Sequence, residues 1–119
     1  MTDAAVDVSS LIRLRQLQAP GAPDAVARIA GRFLDETDER LSTLHVAAMQ
    51  QDAQALERAA HALKGVAGTV GAHEIRDVAH QLERVGREGR TDGAQDLVAA
   101  LDEAVARARP VYEQLRAGA

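Results

Sequence analysis

The sequence contains no cysteine and no tryptophan, and its 119 residues include one phenylalanine, Phe33, and one tyrosine, Tyr112. Without cysteine there is neither a disulfide framework nor a thiol nucleophile, and cysteine usage sets no redox compartment. With two aromatic rings the chain lacks the stacking platforms that bind single-stranded nucleic acid, and a net charge of −4 with interspersed signs lacks the basic footprint. No apolar run approaches the ~20 residues a helix needs to cross a bilayer. The start, MTDAAVDVSS, lacks the basic-then-apolar pattern of a secretory signal. These absences predict a cytoplasmic protein with no nucleic-acid or membrane partner. No Gly-rich nucleotide-binding motif occurs, so the chain is not a complete kinase. Lysine is nearly missing as well: Lys64 stands alone against thirteen arginines.

What is present is aliphatic and helix-forming. Hydrophobic residues make up 46% of the chain, and alanine, leucine, valine, arginine and glutamate dominate. No alternating β-branched stretch of useful length appears. Residues 1–6 read as a flexible leader and 7–117 as a single domain, large enough for one core. A short helix is predicted from about Asp7 to Gln18, using Val8, Leu11, Ile12 and Leu14 or Leu17, and APGAP (19–23) breaks it. Asp24 or its predecessor caps a second helix whose stripe runs Val26, Ile29/Ala30, Phe33/Leu34, Thr37, Leu41, Leu44 and Ala48. Asp52 caps a third, with Leu56, Ala59/Ala60, Leu63, Val66/Ala67 and Val70 facing inward and Gly71 ending it. A fourth follows from Ala72 with Ile75, Val78/Ala79, Leu82 and Val85, then a break at 86–93. The last begins at Ala94 and is expected to kink or divide near Arg109, because Pro110 lies inside its pattern. The fold class is all-α: an antiparallel four-helix bundle with an additional short N-terminal helix.

The third helix carries an oddity. HALKGVAGTVG (61–71) holds three glycines, and Gly65 and Gly68 each cost a helix interior about 1 kcal/mol relative to alanine. His61, Lys64, Gly65 and Gly68 fall off the core stripe, on a second face shared with Glu57. On the fourth helix the corresponding face holds Arg76, His80, Glu83 and Arg87. A hairpin turning at Gly71 lets these faces adjoin, gathering His61, Lys64, His80 and Glu83 beside a bare backbone patch. Singly, each residue is what an ordinary solvated surface carries. Together they need a further reason, since two helix-weakening glycines on the solvent side serve something that approaches closely. His45, on or beside the second stripe, and His73, at the start of the fourth helix, read as packing or solvated residues.

Neutral imidazole is a nucleophile. A carboxylate such as Glu83 accepting from Nδ1–H fixes the tautomer, frees Nε2 and stabilises charge developing on the ring. A lysine one turn away meets phosphoryl oxygens as a point charge, and phosphoryl transfer depends mainly on positioning and charge. Metal binding is the rival: Glu57/His61 and His80/Glu83 have i, i+4 and i, i+3 spacing. Bundle di-metal sites, however, project into the core and draw carboxylates from further helices, so no metal ligand is assigned. Hydrolase chemistry lacks a serine or cysteine partner.

AHALKGVAGTVGA (60–72) resembles the motif of histidine-containing phosphotransfer (HPt) domains, His-x-x-Lys-Gly with a glycine six residues further on. HQLERVGREG (80–89) is similar to that family's next helix, and RFLDETDERLSTL before the motif and the aliphatic final helix also fit, so the resemblance spans about residues 7–117. It implies that His61 accepts a phosphoryl group, that Lys64 contacts it, and that Gly65 and Gly68 clear space for a response-regulator receiver domain. His80 and Glu83 resemble the version in chemotaxis-type histidine kinases, where the glutamate hydrogen-bonds the accepting histidine and a second histidine stands close by. Arg87 matches a basic position in some members; with Glu57 and Arg58 it is assigned to the partner surface. The implied function is a phosphorelay intermediate in two-component signalling, a monomer meeting a receiver and possibly a histidine kinase. Its Mg²⁺ is expected on the receiver and no cofactor on this chain. Met1 and the loose RAGA end fit a stand-alone protein; the alternatives are the phosphotransfer domain of a larger histidine kinase, and an interaction-only bundle that binds receivers or partner helices without chemistry.

Overall fold

A computed structural model describes residues 5–118. Five helices follow in order: α1 (Ser9–Leu17), α2 (Ala25–Met49), α3 (Ala53–Thr69), α4 (His73–Arg87) and α5 (Ala94–Arg116). Helices α2 to α5 form the bundle, with α3 against α2 and α4, and α5 against α2 and α4, while α1 packs on α2 and reaches α5 only through the Arg15 side chain among the described residues. Among the described residues no helix is long and apolar enough to cross a membrane.

The boundaries follow from local chemistry. Asp24 and Asp52 each accept a 3.0 Å hydrogen bond from the backbone three residues on, Ala27 N and Ala55 N, satisfying amides that the first turn leaves without helical partners. Gly71 takes φ +80°, turning the chain between α3 and α4 in a conformation side chains disfavour. The expected stripes of α2 and α3 are buried, from Val26 to Ala48 and from Leu56 to Val70, apart from intermediate positions such as Leu41 and Val66. The two aromatics meet at the centre with ring centroids 4.7 Å apart, and the Tyr112 hydroxyl donates to Val70 O at 2.7 Å. That bond satisfies a carbonyl past the end of α3 and ties α5 to the hairpin turn.

Three expectations need correction. Residues 5 and 6 of the supposed flexible leader are held in place: Asp7 N donates to Gly71 O at 2.8 Å, Glu74 N donates to Ala5 O at 3.1 Å, and Val6 is buried. The segment crosses the α3–α4 turn so closely that a Cβ on Gly71 would stand 1.8 Å from Asp7 O, a second reason for glycine there. Residues 1–4 of that leader lie outside the described residues. The short helix starts at Ser9, since the Asp7 carboxylate accepts from Ser9 N at 3.0 Å. It commits only Leu11 to the core and leaves Ile12, Leu14 and Leu17 exposed, because it packs on a single neighbour. Pro110 does not divide α5, which runs unbroken to Arg116. Both Pro110 and Ala106, whose carbonyl loses its helical donor, are exposed, so the break in the hydrogen-bond ladder falls on the solvent side of α5.

Thr37 is 1% exposed in the middle of α2, and its Oγ1 is buried without a hydrogen-bond partner among the described residues. An unsatisfied buried hydroxyl is unfavourable. Thr37→Val is therefore expected to raise stability by about 1 kcal/mol, seen in urea unfolding as a higher midpoint with an unchanged slope. A lower midpoint would show that the hydroxyl is satisfied.

Candidate phosphotransfer site

The site lies on the α3–α4 hairpin. These helices approach closely where Gly86 meets the start of α3: a Cβ there would stand 2.6 Å from Ala53 O and 2.7 Å from Glu57 N. Gly86 is buried within α4 rather than beginning the break after it, while Val85, assigned to the core stripe, is only partly buried. The buried side of α4 therefore runs Ile75, Ala79, Leu82/Glu83 and Gly86, rotated toward α3. That rotation moves Glu83 from the expected solvent face into the interface, where its residue exposure is 0%.

A buried carboxylate needs donors, and Glu83 has them. His61 Nδ1 bonds Oε2 and Lys64 Nζ donates to Oε1. Arg87 Nη2 stands 3.2 Å from Oε2, and His80 Nδ1 3.7 Å from Oε1. Arg87 also donates from Nε to Glu57 Oε2 at 3.2 Å, linking α4 back to α3. Burial pushes the Glu83 carboxyl up, but the hydrogen bonds from Lys64 and His61 and their charges outweigh it and hold it down at about 2. At neutral pH Glu83 is therefore ionised and only accepts, so the proton between it and His61 resides on Nδ1. In the neutral ring the lone pair is then on Nε2. The His61 side chain is 69% exposed and Nε2 has no partner among the described residues, so the nucleophilic nitrogen faces solvent.

The glycines sit where expected. A Cβ on Gly65 would meet nothing within 4 Å, and one on Gly68 would meet Arg76 Cδ at an ordinary 3.7 Å. Packing inside the molecule thus requires neither glycine to be small; both leave the surface next to His61 low. Beside Gly65 an apolar groove runs between α2 and α3, floored by Ile29, Phe33, Val66 and Val70. On the other side Glu57, Arg58 and Arg87 line a shallow hollow with His61 and Glu83. All nine assigned site residues therefore lie on one hairpin. Lys64, expected to await a phosphoryl group, is engaged with Glu83. His45 pairs instead with Asp102 on α5 at 2.9 Å, and His73 is partly buried at the start of α4. Gly86 escaped the sequence reading, although a glycine three residues after Glu83 within a helical pattern was the signal for a close crossing.

The Glu83 carboxyl is held below its ordinary 4.5, at about 2. Its contribution to stability is complete above the unfolded value and is lost as pH falls from about 4.5 to 2. Urea unfolding across that range should show Glu83→Gln less acid-sensitive than the parent; equal acid sensitivity would mean that Glu83 is not the group being titrated.

Comparison with known proteins bears on the family and the fold. HptB, a histidine-containing phosphotransfer protein from Pseudomonas aeruginosa PAO1, has a crystal structure that superposes with a TM-score of 0.86 at 27% identity, over 99% of each chain. Histidine-containing phosphotransfer protein 5 of Arabidopsis thaliana is 31% identical over 68 residues, which are 55% of this chain and 43% of that protein, so the match spans less than half of the plant relative. The family model for the Hpt domain matches residues 28–110, most of the bundle and all of the hairpin site. The chain belongs to the Hpt domain family.

Proposed function

We propose that the chain is a phosphorelay intermediate in two-component signalling, in which His61 exchanges a phosphoryl group with the aspartate of a response-regulator receiver domain. The observation that carries this reading is the His61–Glu83 pair: Nδ1 is bound to a buried, ionised carboxylate while Nε2 is exposed. In the transfer to this chain, the Nε2 lone pair forms a P–N bond as the aspartyl P–O bond breaks and its electron pair returns to the receiver's carboxylate. The Nδ1 proton stays in the bond to Glu83, whose charge stabilises the ring as it becomes cationic. The reverse step regenerates the free imidazole. Mg²⁺ is expected with the receiver, because both Glu83 oxygens already face cationic donors. The low surface at Gly65 and Gly68 gives the receiver's reacting group access to Nε2, and the apolar groove beside it offers area to bury on docking. The same reading takes the chain as a cytoplasmic monomer that also meets a histidine kinase.

Incubation with a panel of phosphorylated receivers should transfer acid-labile, base-stable phosphate to the chain, and His61→Gln should abolish it. Labelled H61Q would displace His61, and an unlabelled wild type across the panel would favour an interaction-only bundle. Gly68→Leu is expected to slow transfer about tenfold, the effect of a modest displacement of reacting groups, without loss of stability, since leucine is the better helix former. Normal transfer by G68L would remove the close-approach role.

A further inference from the structure

Four basic side chains surround His61 and Glu83: Arg58 and Lys64 on α3, and His80 and Arg87 on α4. Three already face the buried carboxylate. Lys64 donates to Oε1, the oxygen that His80 approaches only to 3.7 Å, and Arg87 stands on Oε2 while also holding Glu57. Drawing Lys64 fully away onto an incoming phosphoryl group would leave Oε1 of an interfacial carboxylate without a hydrogen bond, which is costly for a buried charge, so Lys64 has at most its spare N–H groups to offer. Arg58 is different. It is exposed, makes no hydrogen bond or ion pair among the described residues, and lines the same hollow as His61 and Glu83. It lies three residues before His61, one turn toward the N-terminus, the direction in which helical side chains lean. A guanidinium offers two parallel N–H groups to phosphoryl oxygens.

We propose that Arg58, rather than Lys64, holds the phosphoryl oxygens on phosphorylated His61, and that Lys64 is a positioning residue that fixes Glu83 and, through it, the ring. The assignment rests on the phosphotransfer reading above and corrects the role that the family resemblance gives Lys64. Arg58 exchanges no proton, so it affects the phosphoryl group through charge and hydrogen bonding alone.

The test uses the whole chain phosphorylated with phosphoramidate, whose P–N bond breaks as the Nε2–P bond forms and ammonia leaves. Titrating the phosphoryl group by ³¹P NMR reads the charge beside it, since a neighbouring cation favours the dianion and lowers the midpoint. Arg58→Gln should raise that midpoint by about half a pH unit or more, and Arg58→Lys should restore most of the shift. Lys64→Gln should leave the midpoint near that of wild type but alter the ¹⁵N tautomer signature of the unphosphorylated His61 ring, which R58Q leaves unchanged. Arg58 has no partner among the described residues to lose, so R58Q keeps the fold. A wild-type midpoint in R58Q, or an equal shift in K64Q, overturns the division of roles. A wild-type chain that never acquires a phosphoryl signal defeats the phosphotransfer reading itself, and this assignment with it.

Discussion

A carboxylate buried between two helices sets the terms for everything around it. Glu83 is ionised where water does not reach, which is tolerable only because Lys64 and His61 bond it and Arg87 stands beside it. The cost of leaving any of those positions empty makes the arrangement rigid. Rigidity is what the ring requires, since a histidine whose Nδ1 is held presents Nε2 in one orientation. The same contact that satisfies Glu83 thus fixes the tautomer and the direction of attack.

The rest of the fold keeps that interface closed. Gly86 lets α4 lie on α3 closely enough for Glu83 to reach His61 and Lys64. At the other end of the hairpin, the turn at Gly71 is overlaid by residues 5–7 and bound by the Tyr112 hydroxyl through Val70 O. Farther out, Arg15 joins α1 to the cap of α2 and the end of α5, contacting Asp24 Oδ2 at 3.1 Å and donating to Leu115 O at 2.8 Å. The aliphatic core supplies the mass against which the hairpin packs. The surface beside His61 is left with small residues, low relief and an exposed Nε2.

Much of this was legible in the residues themselves. Stripes at three-to-four spacing placed α2 and α3, Asp24 and Asp52 marked their starts, and the off-stripe position of His61, Lys64, Gly65 and Gly68 identified the candidate face. Periodicity places a residue on a helix face but does not report how that face is rotated against a neighbour. For that reason Glu83 read as a surface group, Val85 as core, and Gly86 as the start of a loop. The sequence also showed a lysine beside a histidine without showing that the lysine is already engaged, because that depends on a contact between two helices, from residues 19 apart in sequence. Residues 5 and 6 read as a leader because their anchors, Gly71 and Glu74, are distant along the chain.

The central claim is that Glu83 holds Nδ1 so that chemistry occurs at Nε2. The position of the phosphoryl group on the imidazole ring tests it most directly, read from ¹H–¹⁵N and ³¹P couplings in the phosphorylated chain. The account predicts phosphate on Nε2 with the Nδ1 proton still in its bond to Glu83. Phosphate on Nδ1 would contradict it, because that nitrogen could not accept a phosphoryl group while bound to the carboxylate.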